Sequence, residues 1–267
     1  MNQKVFKTLE YTKIRNILAD KASSPGGKRL CQELAPFDSL SALQKALKET
    51  SDALSRLWHG GSLSFSGVHD ITASIKRLEV GSTLSQSELL EVSRLLDTAL
   101  RVKGFGRNEQ DEDREDSLTE YFQGIEPLSP VNNELKRCIV SEEELADDAS
   151  STLHSIRRTI RNTNDKIRSQ LNSMVNSQNM RTNLQVITMR NGRYCLPVKA
   201  DCKGNVPGMV HDQSSTGSTL FVEPMSVVQM NNELRELAGK EKEEIERILA
   251  ELSALVGEKT EELTYNL

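Results

Sequence analysis

Between residues 39 and 103 the apolar side chains recur every three or four positions, the spacing of helices that bury one face. Ser39 opens a helix in which Leu40, Leu43, Leu47, Thr50, Leu54 and Leu57 share a stripe. Residues 68–79 present Ile71, Ile75 and Leu78, and residues 86–103 present Leu89, Val92, Leu96 and Leu100. Two shorter helices precede these. Residues 9–19 carry Leu9, Ile14, Ile17 and Leu18, and Ser24-Pro25, a capping hydroxyl followed by a first-turn proline, starts another that runs to Leu34. The five amphipathic helices predict one bundle, a helical core domain over residues 1–130. Residues 107–120 are dense in Asp and Glu and read as an exposed connector, closed by Pro127 and Pro130.

A second helical pattern follows, with an interruption expected around residues 141–146. Leu153, Ile156, Ile160, Ile167, Leu171 and Met174 form one seam, and Val227, Met230, Leu234, Leu237, Ile245, Ile248, Leu252 and Leu255 form another, broken at Glu241. Between the seams lies a stretch whose apolar period is two. Leu184, Val186 and Thr188 alternate with Gln185, Ile187 and Met189. Asn191-Gly192 supplies the positive φ angles of a two-residue turn, and Tyr194, Leu196 and Val198 continue the alternation. Residues 209–213 and 218–222, joined through Ser214-Ser215-Thr216-Gly217, predict a second short pair. About forty residues of β structure hold too little core to stand alone, so flanking helices must carry them. The fold class expected is mainly α. A core bundle (1–130) is followed by an outgoing lever helix (131–183), a β-rich clamp (184–222) and a returning lever helix (223–267), the levers pairing antiparallel with the clamp at their tip.

Charge adds a direction to this outline. The 267-residue chain totals −5, yet residues 154–203 hold ten basic residues against two acids, a net of +8 that leaves −13 elsewhere. A basic arm on an acidic body predicts that the arm meets a polyanion. Cys31, Cys138, Cys195 and Cys202 lack metal-site spacing, and reduced thiols are expected. Neither an apolar leader nor a bilayer-length apolar run is present, so a cytoplasmic protein without membrane contact is predicted.

Several chemistries are excluded by spacing. Gly27-Lys28-Arg29 and Gly239-Lys240-Glu241 lack the upstream glycine and following Ser/Thr of a phosphate-binding loop, so no cofactor site is assigned. His59, His69, His154 and His211 stand apart without metal-ligand spacing. His211 and Asp212, adjacent on a strand, point to opposite faces and cannot form the relay a nucleophilic serine needs. The candidate contacts are therefore cations and hydroxyls that grip phosphate without reading sequence: Arg181, Arg190, Arg193, Lys199 and Lys203, with Ser214, Ser215 and Thr216 secondary. Sparse aromatic residues argue against base stacking as the main mode.

Four runs then resemble one family. They are Asn191-Gly192-Arg193-Tyr194 with Leu196-Pro197-Val198-Lys199; Val206-Pro207-Gly208-Met209-Val210-His211-Asp212-Gln213-Ser214-Ser215; Gly217-Ser218-Thr219-Leu220-Phe221-Val222-Glu223-Pro224; and Asn231-Asn232-Glu233-Leu234. They are similar to the clamp segment of the second MutS subfamily, the paralogues without a mismatch-recognition domain. Leu34-Ala35-Pro36, Gly67-Val68-His69-Asp70-Ile71 and Gly81-Ser82-Thr83-Leu84 resemble that family's helical core. The resemblance implies a fragment of a dimeric ATPase that uses ATP and Mg and can include an endonuclease domain, with both active sites outside this chain. It also implies a role at branched DNA or collided ribosomes, in suppressing recombination or rescuing translation. Two functions are expected: a clamp whose basic tip embraces DNA or ribosomal RNA backbone, or, on the strength of the long apolar stripe from Val227 to Leu255, a non-catalytic protein–protein or dimerisation module.

Overall fold

The computed structural model describes residues 3–107, 116–176 and 187–267. Its elements are α1 (Gln3–Thr8), α2 (Tyr11–Ala19), α3 (Pro25–Glu33), α4 (Leu40–Gly60), α5 (Thr72–Glu79), α6 (Gln86–Gly106), α7 (Thr119–Gly124), α8 (Ser129–Cys138) and α9 (Ser151–Asn176). Strands β1 (Thr188–Arg190), β2 (Arg193–Lys199), β3 (Gly208–Gln213) and β4 (Thr219–Pro224) follow, then α10 (Met225–Gly257) and α11 (Thr260–Asn266). The chain is mainly α with one small antiparallel sheet, as its periodicities predict.

Two compact units divide the chain. The first comprises Met1–Ala146 with Leu249–Leu267, and the second comprises Asp147–Ile248. Helix α8 packs with α6 and lies in the first unit. In that unit α6 buries Leu89, Val92, Leu95, Leu96, Ala99 and Val102. It starts in a capping box, where Ser85 and Glu88 satisfy each other's backbone N–H. Val131, Leu135 and Cys138 of α8 and Leu252 and Val256 near the end of α10 are buried in the same unit. A buried hydrogen bond from the Leu84 N–H to Ser253 Oγ (2.9 Å) ties the α5–α6 turn to α10.

The five-helix bundle expected from the stripes forms only in part. Of the expected members, α5 and α6 bury their apolar faces, whereas α3 and α4 bury no residue and α2 buries only Ala19. Arg56 anchors α4 on its polar side through two bonds to Asp116 (2.7 and 2.8 Å). Asp52 accepts from Ser117 on the same side. Asp116 thus lies in a contact, although the sequence reads it as part of an exposed connector.

The second unit starts after the expected interruption, where an Ile139–Leu145 bridge separates α8 from α9. Along α9, Leu153, Ile156, Ile167 and Leu171 are buried as the seam requires, with Thr163 buried between them. Hydrogen bonds join α9 and α10 in antiparallel order: Ser150 Oγ to Glu244 (2.6 Å), Arg157 Nε to Glu241 (2.7 Å) and Ser226 Oγ to Met174 Sδ (3.4 Å). Glu241, the break in the α10 stripe, is therefore the acceptor that matches Arg157 on α9.

The sheet has the order β1-β2-β4-β3. Two separate hairpins were the expectation; pairing of β2 with β4, from Leu196↔Val222 to Lys199↔Thr219, merges them. Asn191 (φ 51°) and Gly192 (φ 73°) make the predicted positive-φ turn. Ile167 and Leu171 of α9 and Val227 of α10 share one core with Tyr194, Leu196, Val198, Val206 and Val222. The expected strand residues Leu184, Gln185 and Val186 lie outside the described residues.

Candidate nucleic-acid interface

Glu223, at the end of β4, is fully buried in a short strand that is otherwise mostly apolar. A lone buried carboxylate is strongly unfavourable unless donors surround it. Here three do: Arg193 Nη1 at 2.7 Å, His211 Nε2 at 2.5 Å and Asn231 Nδ2 at 2.8 Å. Burial by itself would raise the Glu223 pKa, but the bonds from Asn231, Arg193 and His211 outweigh it and hold the carboxyl below its ordinary value.

The network then extends to both helices. Arg193 also donates to Asn232 (2.7 Å). The Asn231 side chain accepts from the Tyr194 N–H (3.1 Å) and donates to the Tyr194 carbonyl (3.2 Å), copying a neighbouring strand where β4 does not reach. Tyr194 Oη donates to Asn164 of α9 (2.9 Å). Buried Cys195 sits in the same surroundings, and burial, reinforced by the Glu223 charge, pushes its thiol up to about 11. That thiol is held in its protonated, unreactive form.

The predicted contact residues separate into groups under this geometry. Arg193, with its side chain only 18% exposed, is a structural partner of Glu223. Arg190 pairs with Asp212 (3.2 Å) and lies 4.0 Å above the Phe221 ring, so its charge is largely committed within the unit. Ser214 Oγ accepts from the Thr219 N–H (3.1 Å), and Thr216 and Ser218 share a 2.8 Å hydroxyl contact. The turn hydroxyls thus satisfy the β3–β4 turn first, while Ser215 and Thr216 stay exposed. Lys199 and Lys203 are exposed and have no acidic partner among the described residues. The Ala200 N–H donates to the Ser218 carbonyl (3.0 Å), which places Lys199 beside that hydroxyl turn. Arg181 lies outside the described residues.

His211 and Asp212 do engage different partners, Glu223 and Arg190. The reason differs from simple alternation. The β3–β4 register shifts between Val210 and Asp212, so His211 is the extra residue of a bulge and turns toward Glu223.

Sequence reasoning passed over two features. One is the network, signalled by an acid inside an apolar strand and by an asparagine on the α10 stripe four residues after Val227. The other is the outer side of α9, whose cations were counted in the basic arm of residues 154–203 but not chosen as contacts. Arg158, Lys166 and Arg168 are exposed and without acidic partners among the described residues, on helix positions away from the buried Ile156, Ile167 and Leu171. Their neighbours Arg157 and Arg161 both bind Asp147 (2.8 Å each). Among the described residues no group of three or more His, Cys, Asp or Glu could hold a metal ion. No helix among them is long and apolar enough to cross a membrane.

The motif residues that converge on Glu223 are the ones whose resemblance was noted above, and comparison with known proteins agrees. "Endonuclease MutS2" of Agathobacter rectalis is 54% identical over 255 residues, 95% of this chain and 32% of that protein. The protein of the same name from Lachnoclostridium phytofermentans is 52% identical over 273 residues, covering all of this chain and 34% of its own length. That of Alkaliphilus oremlandii is 41% identical over 268 residues. The matches support the MutS2 family. A scan against protein-family models finds no match. The chain spans about a third of the length of these MutS2 relatives. The most specific MutS2-like runs, those around Arg193, His211, Glu223 and Asn231, therefore encode a packing node that joins sheet to helices.

Proposed function

We propose that the second unit is a clamp that holds a nucleic-acid backbone, and that its grip comes from Lys199 and Lys203 beside the hydroxyl turn together with Arg158, Lys166 and Arg168 of α9. The observation that carries this reading is the set of exposed cations on one unit that have no acidic partner among the described residues, in a chain whose total charge is −5. Arg190 and Arg193 hold the frame, and Ser215 and Thr216 add neutral donors. In the same reading, α9 and α10 act as levers that pass movement from a nucleotide-driven part of a longer MutS2 protein to the sheet. Cutting, which the relatives' name mentions, is assigned to no described residue of this chain. Branched DNA and ribosomal RNA both fit, since backbone contacts alone do not separate them.

Five phosphate contacts predict that log affinity falls against log salt with a slope of roughly −4 to −5 on duplex DNA. Charge reversal of Lys199 and Lys203 should flatten that slope by about 2 and weaken binding to all sequences alike. Titrations with a four-way DNA junction, a linear duplex and a ribosomal RNA fragment at two salt concentrations test the claim and rank the targets. Affinity that ignores both salt and the two reversals sinks it.

A further inference from the structure

Arg190 is a poor anchor for phosphate, because the Asp212 carboxylate already faces its Nε at 3.2 Å. What it offers instead is a surface. Its guanidinium lies 4.0 Å above the Phe221 ring, and Nη1 donates to the Met189 carbonyl at 3.0 Å. Ring, carboxylate and carbonyl fix the plane from three directions. With Phe221 against one face and the side chain still 39% exposed, the opposite face of the guanidinium is the one open to solvent.

Strand register puts this plane beside the proposed grip. Opposed residues of an antiparallel pair project to one face, and the pairs Arg190↔Arg193, Pro197↔Phe221, Phe221↔Asp212 and Lys199↔Thr219 place Arg190, Phe221, Asp212 and Lys199 together. The other face carries Tyr194, Leu196, Val198 and Val222, which pack with α9 and α10. Arg190 and Lys199 thus share the side of the sheet turned away from the helices. From the Phe221 pair to Lys199 is two residues, roughly 7 Å along the strand. Cys195 also belongs to this outer face and is fully buried, so the side chains that cross above it are packed in place.

We propose that the Arg190–Phe221 stack is a subsite for one unpaired nucleobase, which lies flat on the guanidinium while Lys199 takes the neighbouring phosphate. A guanidinium already neutralised by a carboxylate draws a further anion weakly, whereas the π-face of a base stacks on its plane whatever the base's identity. In a duplex those faces are hidden between neighbouring bases, so only a bulged, flipped or single-stranded base reaches the platform. The inference rests on the nucleic-acid reading above and adds selectivity to it. Backbone cations hold any strand; the platform separates a loose base from a paired one. A single stack also suits a chain whose aromatic content is 4%, too sparse for a ladder of stacked bases. DNA and RNA supply the same chemistry.

Fluorescence anisotropy on the 267-residue chain tests this with hairpins of one sequence, made in DNA and again in RNA: fully paired, with one bulged adenine, or with an abasic residue at the same bulge. The abasic form keeps the distorted backbone and lacks the base. The wild type should bind the adenine bulge about five- to ten-fold more tightly than the abasic one in at least one of the two nucleic acids. Arg190→Lys keeps the charge and loses the plane, so it should bring those two affinities together and leave binding to the paired hairpin, with its salt slope, unchanged. Phe221→Leu, checked for folding by its urea midpoint, should weaken the preference by removing the support beneath the guanidinium. Salt-dependent binding by a wild type indifferent to the base in both DNA and RNA overturns the platform and leaves the backbone clamp standing. A base preference that survives Arg190→Lys overturns it too. Absence of binding to every hairpin overturns both readings.

Discussion

Glu223 shows how a single residue can decide what its neighbours are free to do. Arg193 is the clearest case. It reads in the sequence as a surface cation in a basic arm, yet a buried carboxylate 2.7 Å away fixes it, and its charge neutralises Glu223 rather than a ligand. Breaking one side of a buried pair leaves the other side desolvated and alone, which costs about 3–5 kcal/mol. Glu223→Ala is therefore expected to lower the unfolding free energy of the second unit by roughly that amount, read as a fall in the urea midpoint. Lys199→Ala should leave the same midpoint within about 0.5 kcal/mol, as an exposed residue with no acidic partner among the described residues does. Equal effects of the two substitutions would remove the distinction between frame and grip.

At the scale of elements, α9 and α10 match each other through polar positions as much as through their stripes. Glu244, buried on α10, accepts from Arg247 within its own helix and from Ser150 just before α9. The Arg247 bonds first, and then Ser150, lower its pKa to about 2. The unfolded chain therefore binds this proton more readily than the folded one. The stabilisation is complete above the ordinary Glu range near pH 4.5 and disappears as pH falls toward 2. Urea titrations across that window should show stability rising with pH, and Glu244→Gln should remove at most about 1.4 kcal/mol per pH unit of that slope. An unchanged slope in the variant would show that Glu244 does not contribute. Both helices were legible from their three-four spacing, and the β1–β2 turn from Asn191-Gly192. The β2–β4 pairing and the bulge at His211 were not, since hydrophobic alternation specifies which side of a strand is covered but not which strand lies beside it.

For the whole molecule, two cores imply two cooperative units. Leu89→Ala in the first and Leu171→Ala in the second each remove a fully buried side chain, at about 2–5 kcal/mol. Hydrogen exchange should show each substitution loosening mainly the amides of its own unit; uniform loosening from either site would argue for a single cooperative body. By itself the sequence determined the helical and strand periods, the tight turn, the segregation of positive charge into residues 154–203 and the likeness to MutS2, because each is a property of neighbours along the chain. Only the tertiary structure decided which cations are bound internally, that one buried glutamate gathers Arg193, His211 and Asn231, and that the leucines of α4 face outward. Those outcomes depend on contacts between residues far apart in the chain, where burial and the pairing of charge are set by neighbours in space.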